Sequence, residues 1–172
     1  SQAIGYPVEV LEPAHVGKED VLLAGGQSAA LFALDGDGEF AFAGISGSFL
    51  VQVASGDLDG DGIDEVVTLD DHAFVRAIGA DGRQRWATQL LVAGAGTGTA
   101  LAVADLEGDG RAEVIAGAWT YLAVQDPGVI QVFEGDGVPR ANARSYLPPS
   151  DLVAYDLDGD GTREVAAAQT PP

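Results

Sequence analysis

The chain has no cysteine and no methionine, and only eight lysines and arginines among its 172 residues. Without cysteine there are no disulfides and no thiolate zinc sites, although the redox compartment stays open. Eight bases against 27 acids leave a formal charge of −19. They form no basic stripe, which argues against a nucleic-acid groove. No apolar run approaches the ~18–20 residues that a membrane helix requires, so membrane insertion is not expected. Nor does an apolar helical period persist for three turns anywhere. The sequence opens at Ser1 with neither an initiating methionine nor a signal peptide, and reads as a processed product or a piece of something longer.

What is present is apolar and repetitive. Hydrophobic residues make up 47% of the chain, enough for a packed core and too many for disorder. The segments GDLDGDGIDEVV at 56–67, ADLEGDGRAEVI at 104–115 and YDLDGDGTREVA at 155–166 are near copies. An acid-Val pair marks the register at Asp20-Val21, Glu65-Val66, Glu113-Val114 and Glu164-Val165, with steps of 45, 48 and 51 residues. Such steps fall in the size range of propeller blades. Between the acidic segments lie valine-rich runs of four to seven residues bounded by Gly and Asp turns, which favours strands. Asp-Gly pairs at 37–38, 81–82 and 136–137 recur at one place in successive units, as tight hairpin turns do.

The expected fold is all-β, built of four-stranded antiparallel propeller blades. Inner strands are predicted near 6–10, 49–54, 100–104 and 151–155, in units of roughly 4–48, 49–99, 100–148 and 149–172. Only the first three units carry all four strands, A to D, so the chain amounts to about three and a half blades. Closed propellers typically need four to eight, and an open arc leaves bare edges. The arc is therefore expected to be completed by further blades, from a longer chain or from a second copy.

The acidic segments place carboxylates at positions 1, 3, 5 and 9 of a loop between strands A and B. These are Asp57, Asp59, Asp61 and Glu65; Asp105, Glu107, Asp109 and Glu113; and Asp156, Asp158, Asp160 and Glu164. Position 7 offers a backbone carbonyl, from Ile63, Arg111 and Thr162 respectively. Four carboxylates within nine residues repel one another unless a cation lies between them. A hard cation taking six to eight oxygens meets that demand, which describes calcium better than magnesium. Borderline metals would prefer His or Cys. An EF-hand would need a glutamate at position 12, where Thr68, Ala116 and Ala167 stand. The competing reading is plain turn chemistry with solvated charge. Against it, twelve of the 27 acids occupy ligand positions, so much of the acidity is concentrated in these loops.

DLDGDGIDEVV and its two partners resemble the FG-GAP or VCBS repeat, the blade of integrin-α-like β-propellers. VIAGA at 114–118 resembles the family's GAP segment without its proline. The resemblance implies calcium in the A–B loops and an extracellular or periplasmic location. In the first unit the same register puts Glu12, Ala14 and Val16 in place of the three Asp residues, so three calcium ions are expected rather than four. Asp35 falls in a C–D turn and is read as structural.

On the face opposite these loops, the third unit inserts WTYLAVQDPG at 119–128 where the second has only DDH. Trp119 and Tyr121 are candidates for a glycan or protein ligand; the alternative is that Trp119 covers a neighbouring blade. Trp86 takes the place of Phe42 in the preceding unit and is expected in the core. GAGTGT at 94–99 lacks the last glycine of a dinucleotide loop and a following helix. GISGS at 44–48 is not a nucleophile elbow. His72 beside Asp70 and Asp71 reads as a solvated turn rather than an acid–base pair, and His15 lies in another loop.

No catalytic constellation emerges. The expectation is a calcium-binding propeller module for extracellular binding or scaffolding. The alternatives are a propeller part of a polysaccharide-active enzyme and a structural spacer in a large surface protein.

Overall fold

A computed structural model describes residues 8–16, 19–27, 29–45, 47–90, 96–121 and 127–169. Parts of several predicted segments lie outside these residues, namely 6–7, Ser46, 94–95 and 122–126. The side chains of Phe40 and of residues 42–45 do so as well.

Fourteen strands and no helix form among the described residues. The first sheet comprises β1 (Val10–Val16), β2 (Glu19–Gly25), β3 (Ala30–Leu34) and β4 (Phe40–Ile45). The second comprises β5 (Leu50–Gly56), β6 (Glu65–Asp70), β7 (Phe74–Ile78) and β8 (Gln84–Gln89). The third comprises β9 (Gly96–Ala104), β10 (Glu113–Thr120), β11 (Gly128–Phe133) and β12 (Pro139–Ser145), and β13 (Pro149–Tyr155) pairs with β14 (Glu164–Gln169). Every sheet runs in chain order with antiparallel pairing. Strands β1, β5, β9 and β13 contact one another in sequence, as the innermost strands of successive blades do. The result is an arc of three complete blades and the inner half of a fourth.

The core lies between the blades rather than inside any one of them. Leu23, Leu31, Leu50, Val66 and Ile78 pack the first blade on the second. Val67, Leu69, Val75, Val114 and Phe133 pack the second on the third. Ala100, Ile115 and Leu152 join the third to the fourth. This explains why burial does not alternate along β6 and β10: both their faces are covered, and all six residues of β6 are buried, Glu65, Thr68 and Asp70 among them. β14, with the same EV start, is exposed from Ala166 to Gln169, because it has a blade on one side only.

The three Asp-Gly turns are near copies. Gly38 N–H donates to the Asp35 carbonyl, Gly82 to Gly79 and Gly137 to Glu134, at 2.8–3.0 Å. Each of these glycines has a φ of +73° to +84°, and the pairing register slips beside each turn. That is the geometry of a three-residue hairpin closed by a left-handed glycine. Asp35 Oδ1 accepts the N–H groups of Asp37 and Glu39.

Three expectations change. Glu12, Ala14 and Val16 are not a degenerate loop; they lie within β1, which pairs through to Val16 opposite Glu19. The A–B connection of the first blade is four residues shorter than the others, since His15 opposes Asp20 where Gly56 opposes Glu65. Trp119 is not in a B–C loop either. It continues β10, opposite Thr97 and Gly128. The inner strand of the third blade starts at Gly96 rather than near 100, which places the end of GAGTGT in a strand.

Candidate metal centres

The three acidic loops span the same pair of positions. Gly56 pairs with Glu65, Ala104 with Glu113 and Tyr155 with Glu164, leaving eight residues between. Position 1 winds the loop. Asp57 Oδ1 accepts Gly60 N–H at 2.7 Å and Oδ2 accepts Gly62 N–H at 2.8 Å. Asp105 holds Gly108 and Gly110 in the same way, and Asp156 holds Gly159 and Gly161. All six glycines have φ between +73° and +94°, a conformation that costs an L side chain ~1–2 kcal/mol. Position 5 then places position 7: Asp61 accepts Ile63 N–H, Asp109 accepts Arg111 N–H and Asp160 accepts Thr162 N–H, at 2.8–2.9 Å.

The position-9 glutamates close the loops from below. Glu65, Glu113 and Glu164 accept the N–H of Leu58, Leu106 and Leu157 at 2.8–3.1 Å. Glu65 is 5% exposed and Glu113 is 3% exposed. Burial pushes both carboxyls above the ordinary glutamate range, against the lowering effect of the backbone N–H each accepts. The neighbouring Asp59 and Asp61 push Glu65 up further. Burial also acts to raise Asp105, but the N–H groups of Gly110, Gly108, Asp109 and Glu107 together hold it below the usual range. Asp160 is lowered by the Thr162 hydroxyl and N–H.

A carboxylate desolvated beside others either takes up a proton or pairs with a cation. The donor set, all oxygen, fits a hard divalent ion. In the first loop, one oxygen each of Asp57, Asp59 and Asp61 lies within 4.8 Å of the others; Asp156, Asp158 and Glu164 converge equally in the third. No such trio forms in the second loop among the described residues. There Glu107 pairs with Arg140 of β12, a partner the local pattern did not disclose.

The loops adjoin around one end of the arc. Ala112 N–H donates to the Asp57 carbonyl at 2.7 Å and Arg163 N–H to the Leu106 carbonyl at 2.8 Å. A cavity of about 340 Å³ between the first two loops is lined by Asp59, Asp109, Arg111, Glu113, Glu134 and Asp136.

A third acidic group, Asp70, Asp71 and His72, stands at the B–C turn of the second blade. Asp70 is fully buried and already engaged. It accepts the N–H of His72 and Phe74 at 2.9 Å and pairs with Arg76 at 2.6 Å. His72 Nδ1 lies 2.9 Å from Ser48 Oγ and 3.0 Å from Asp71 Oδ1, with the side chain exposed. The same ring nitrogen, Nδ1, faces both neighbours. His15 Nδ1 contacts Asp20 at 3.0 Å, also exposed.

Of the aromatic pair, Trp119 is half-buried and Tyr121 is 64% exposed, with ring centroids 5.9 Å apart. They stand at the end of β10 farthest from the acidic loops. Trp86 packs on Phe133 at 6.3 Å, and its indole N–H donates to the Gly135 carbonyl at 2.8 Å. It joins the second blade to the third. The channel between the inner strands, about 510 Å³, has Arg163 as the one base among its described lining residues.

Comparison with solved structures agrees with this architecture. BBS1N in complex with ARL6DN superimposes with a TM-score of 0.68 at 12% identity, over 92% of this chain and 50% of that one. The Pan2 WD40 domain of Neurospora crassa gives 0.62 at 15%, over 85% and 40%. The V. cholerae biofilm matrix protein Bap1 gives 0.58 at 20%, over 80% and 21%. The chain thus spans about half the length of BBS1N. No curated protein matches it in sequence. Residues 17–68 and 57–116 match the FG-GAP-like repeat, together more than half of the chain, and on that match this β-propeller arc belongs to the FG-GAP-like repeat family.

Proposed function

We propose that this chain is a calcium-stabilised propeller module that presents a partner-binding surface outside the cell. The observation that carries the metal is the convergence of acidic oxygens in the first and third loops, above the buried Glu65 in the first. Asp57, Asp59, Asp61, Glu65 and the Ile63 carbonyl would hold one ion. Asp156, Asp158, Asp160, Glu164 and the Thr162 carbonyl would hold another. Asp105, Glu107, Asp109, Glu113 and the Arg111 carbonyl form the related second loop. Calcium would supply charge compensation and pin the A–B hairpins, with no part in bond-making. Extracellular calcium modules work at ~10⁻⁴–10⁻³ M, which is the ground for the location.

The partner would be met at the opposite end of the blades, where Tyr121 projects beside Trp119. A protein surface is favoured, since BBS1N is solved in complex with a protein, ARL6DN; a glycan stacked on Tyr121 is the other ligand its chemistry suits.

Calorimetric titration of calcium into metal-stripped protein, with thermal melts on either side, tests the first part. Each filled loop should raise the melting temperature by about 5–10 °C at a hundredfold excess over Kd. No heat and no shift at millimolar calcium would leave the loops as turn chemistry alone. For the partner face, Tyr121→Ala should abolish capture of a partner while leaving the calcium response intact.

A further inference from the structure

We propose that Arg140 is a built-in counter-cation of the second acidic loop. It keeps that loop free of calcium at concentrations that fill the first and third. The inference rests on the calcium reading above and concerns which loops the ion can enter.

Arg140 lies on β12, three residues after the turn glycine Gly137. Its guanidinium pairs with Glu107 through Nη2, approaches Glu113 Oε1 to 4.0 Å through Nη1, and approaches Glu134 Oε1 to 3.7 Å through Nε. Glu107 and Glu113 are positions 3 and 9 of the loop, the same carboxylates a divalent ion would need. The Arg140 side chain is 33% exposed and lies over the loop, beside three acids. A guanidinium stays charged at every ordinary pH and can bridge several carboxylates at once. Calcium must displace it and leave it without those partners.

The second blade supplies the contrast. Arg85 stands at the same place, three residues after Gly82. There, however, position 3 is Asp59, one methylene shorter than Glu107. The turn residue corresponding to Glu134 is Gly79, and Arg85 lies along the Gly79 backbone. Arg85 lines a cavity with Asp59 and Glu65 and favours the charge of Glu65 from a distance, but it makes no ion pair within 4 Å among the described residues, and the loop's aspartates converge. In the first blade the position is Ala41, beside a hairpin too short for a site. Among the described residues the fourth blade has no outer strand, and none of the ion pairs there joins an arginine to the third loop. Two substitutions, Asp to Glu in the loop and Gly to Glu in the turn, thus distinguish a guarded loop from an open one.

The test is calcium stoichiometry by calorimetry and native mass spectrometry on the whole chain, compared with Arg140→Gln and Glu107→Asp. The wild-type protein should take up two ions. Arg140→Gln should take up three, the added site binding at least tenfold tighter than any third ion in the wild type. Glu107→Asp leaves the guanidinium in place but shortens its partner, and should move the same way even if Arg140→Gln folds poorly. Three equivalent sites in the wild type, or two in both variants, would overturn the role of Arg140 and leave calcium binding standing. No binding by the wild type would remove the calcium reading itself, and the inference with it.

Discussion

At the scale of single residues, the position-9 glutamates carry the most tension. Glu65 is almost fully buried and sits near Asp59 and Asp61, which make its charge costly, while the Leu58 N–H and the more distant Arg85 offset that cost in part. Glu65→Gln keeps the shape and the carbonyl that Leu58 N–H needs while removing that charge. Metal-free stability should therefore change by less than about 1 kcal/mol, since a buried unpaired charge is lost along with a ligand. The calcium-dependent gain should shrink by the share of one loop, about 2–3 kcal/mol at a hundredfold excess. Urea unfolding with and without calcium separates the two. A large loss without calcium would mean that the carboxylate holds the loop unaided. Asp70, equally buried, differs in kind: Arg76 and two N–H groups already satisfy it.

At the scale of elements, loops and turns from different blades are interlocked. A Cβ on Gly135, in the C–D turn of the third blade, would overlap the Leu58 carbonyl in the A–B loop of the second. The Gly135 carbonyl meanwhile takes the Trp86 indole N–H. Gly135→Ala must push the turn and the loop apart, at a cost of about 1–3 kcal/mol. Because Leu58 adjoins Asp57, calcium affinity of the first loop should fall with it. An unchanged melting temperature and affinity would mean that the blades yield at this seam.

These elements also show what the sequence could disclose. The acidic loops and Asp-Gly turns were legible because their chemistry is local: glycine where φ is positive, aspartate where N–H groups need an acceptor. The first hairpin was not, because acids or small residues at alternate positions fit a strand as well as a loop, and Glu12, Ala14 and Val16 have that same period of two. Trp119 read as a loop residue from its lack of a counterpart, yet an extended β10 absorbs it. Arg140 was invisible for another reason. It lies 33 residues from Glu107, and only the hairpin geometry of the third blade brings its side chain back over the loop.

At the scale of the whole molecule, charge and architecture act together. The inter-blade core gives the arc its cohesion, but the acidic loops are gathered at one end, each donating or accepting a backbone hydrogen bond with the next. A formal charge of −19 would strain any compact chain through self-repulsion. Here the strain is focused, since the interior strands hold few charges and the loops many. Screening should therefore substitute in part for bound cations. Between about 0.01 and 1 M sodium chloride the screening length falls from ~30 to ~3 Å, short enough to weaken repulsion between adjacent loops. In chelator, the melting temperature should rise across that range; in saturating calcium, it should change far less. Equal salt dependence in both conditions would mean that the destabilising charge lies elsewhere on the surface, and that the loops' own backbone hydrogen bonds suffice to hold their carboxylates together.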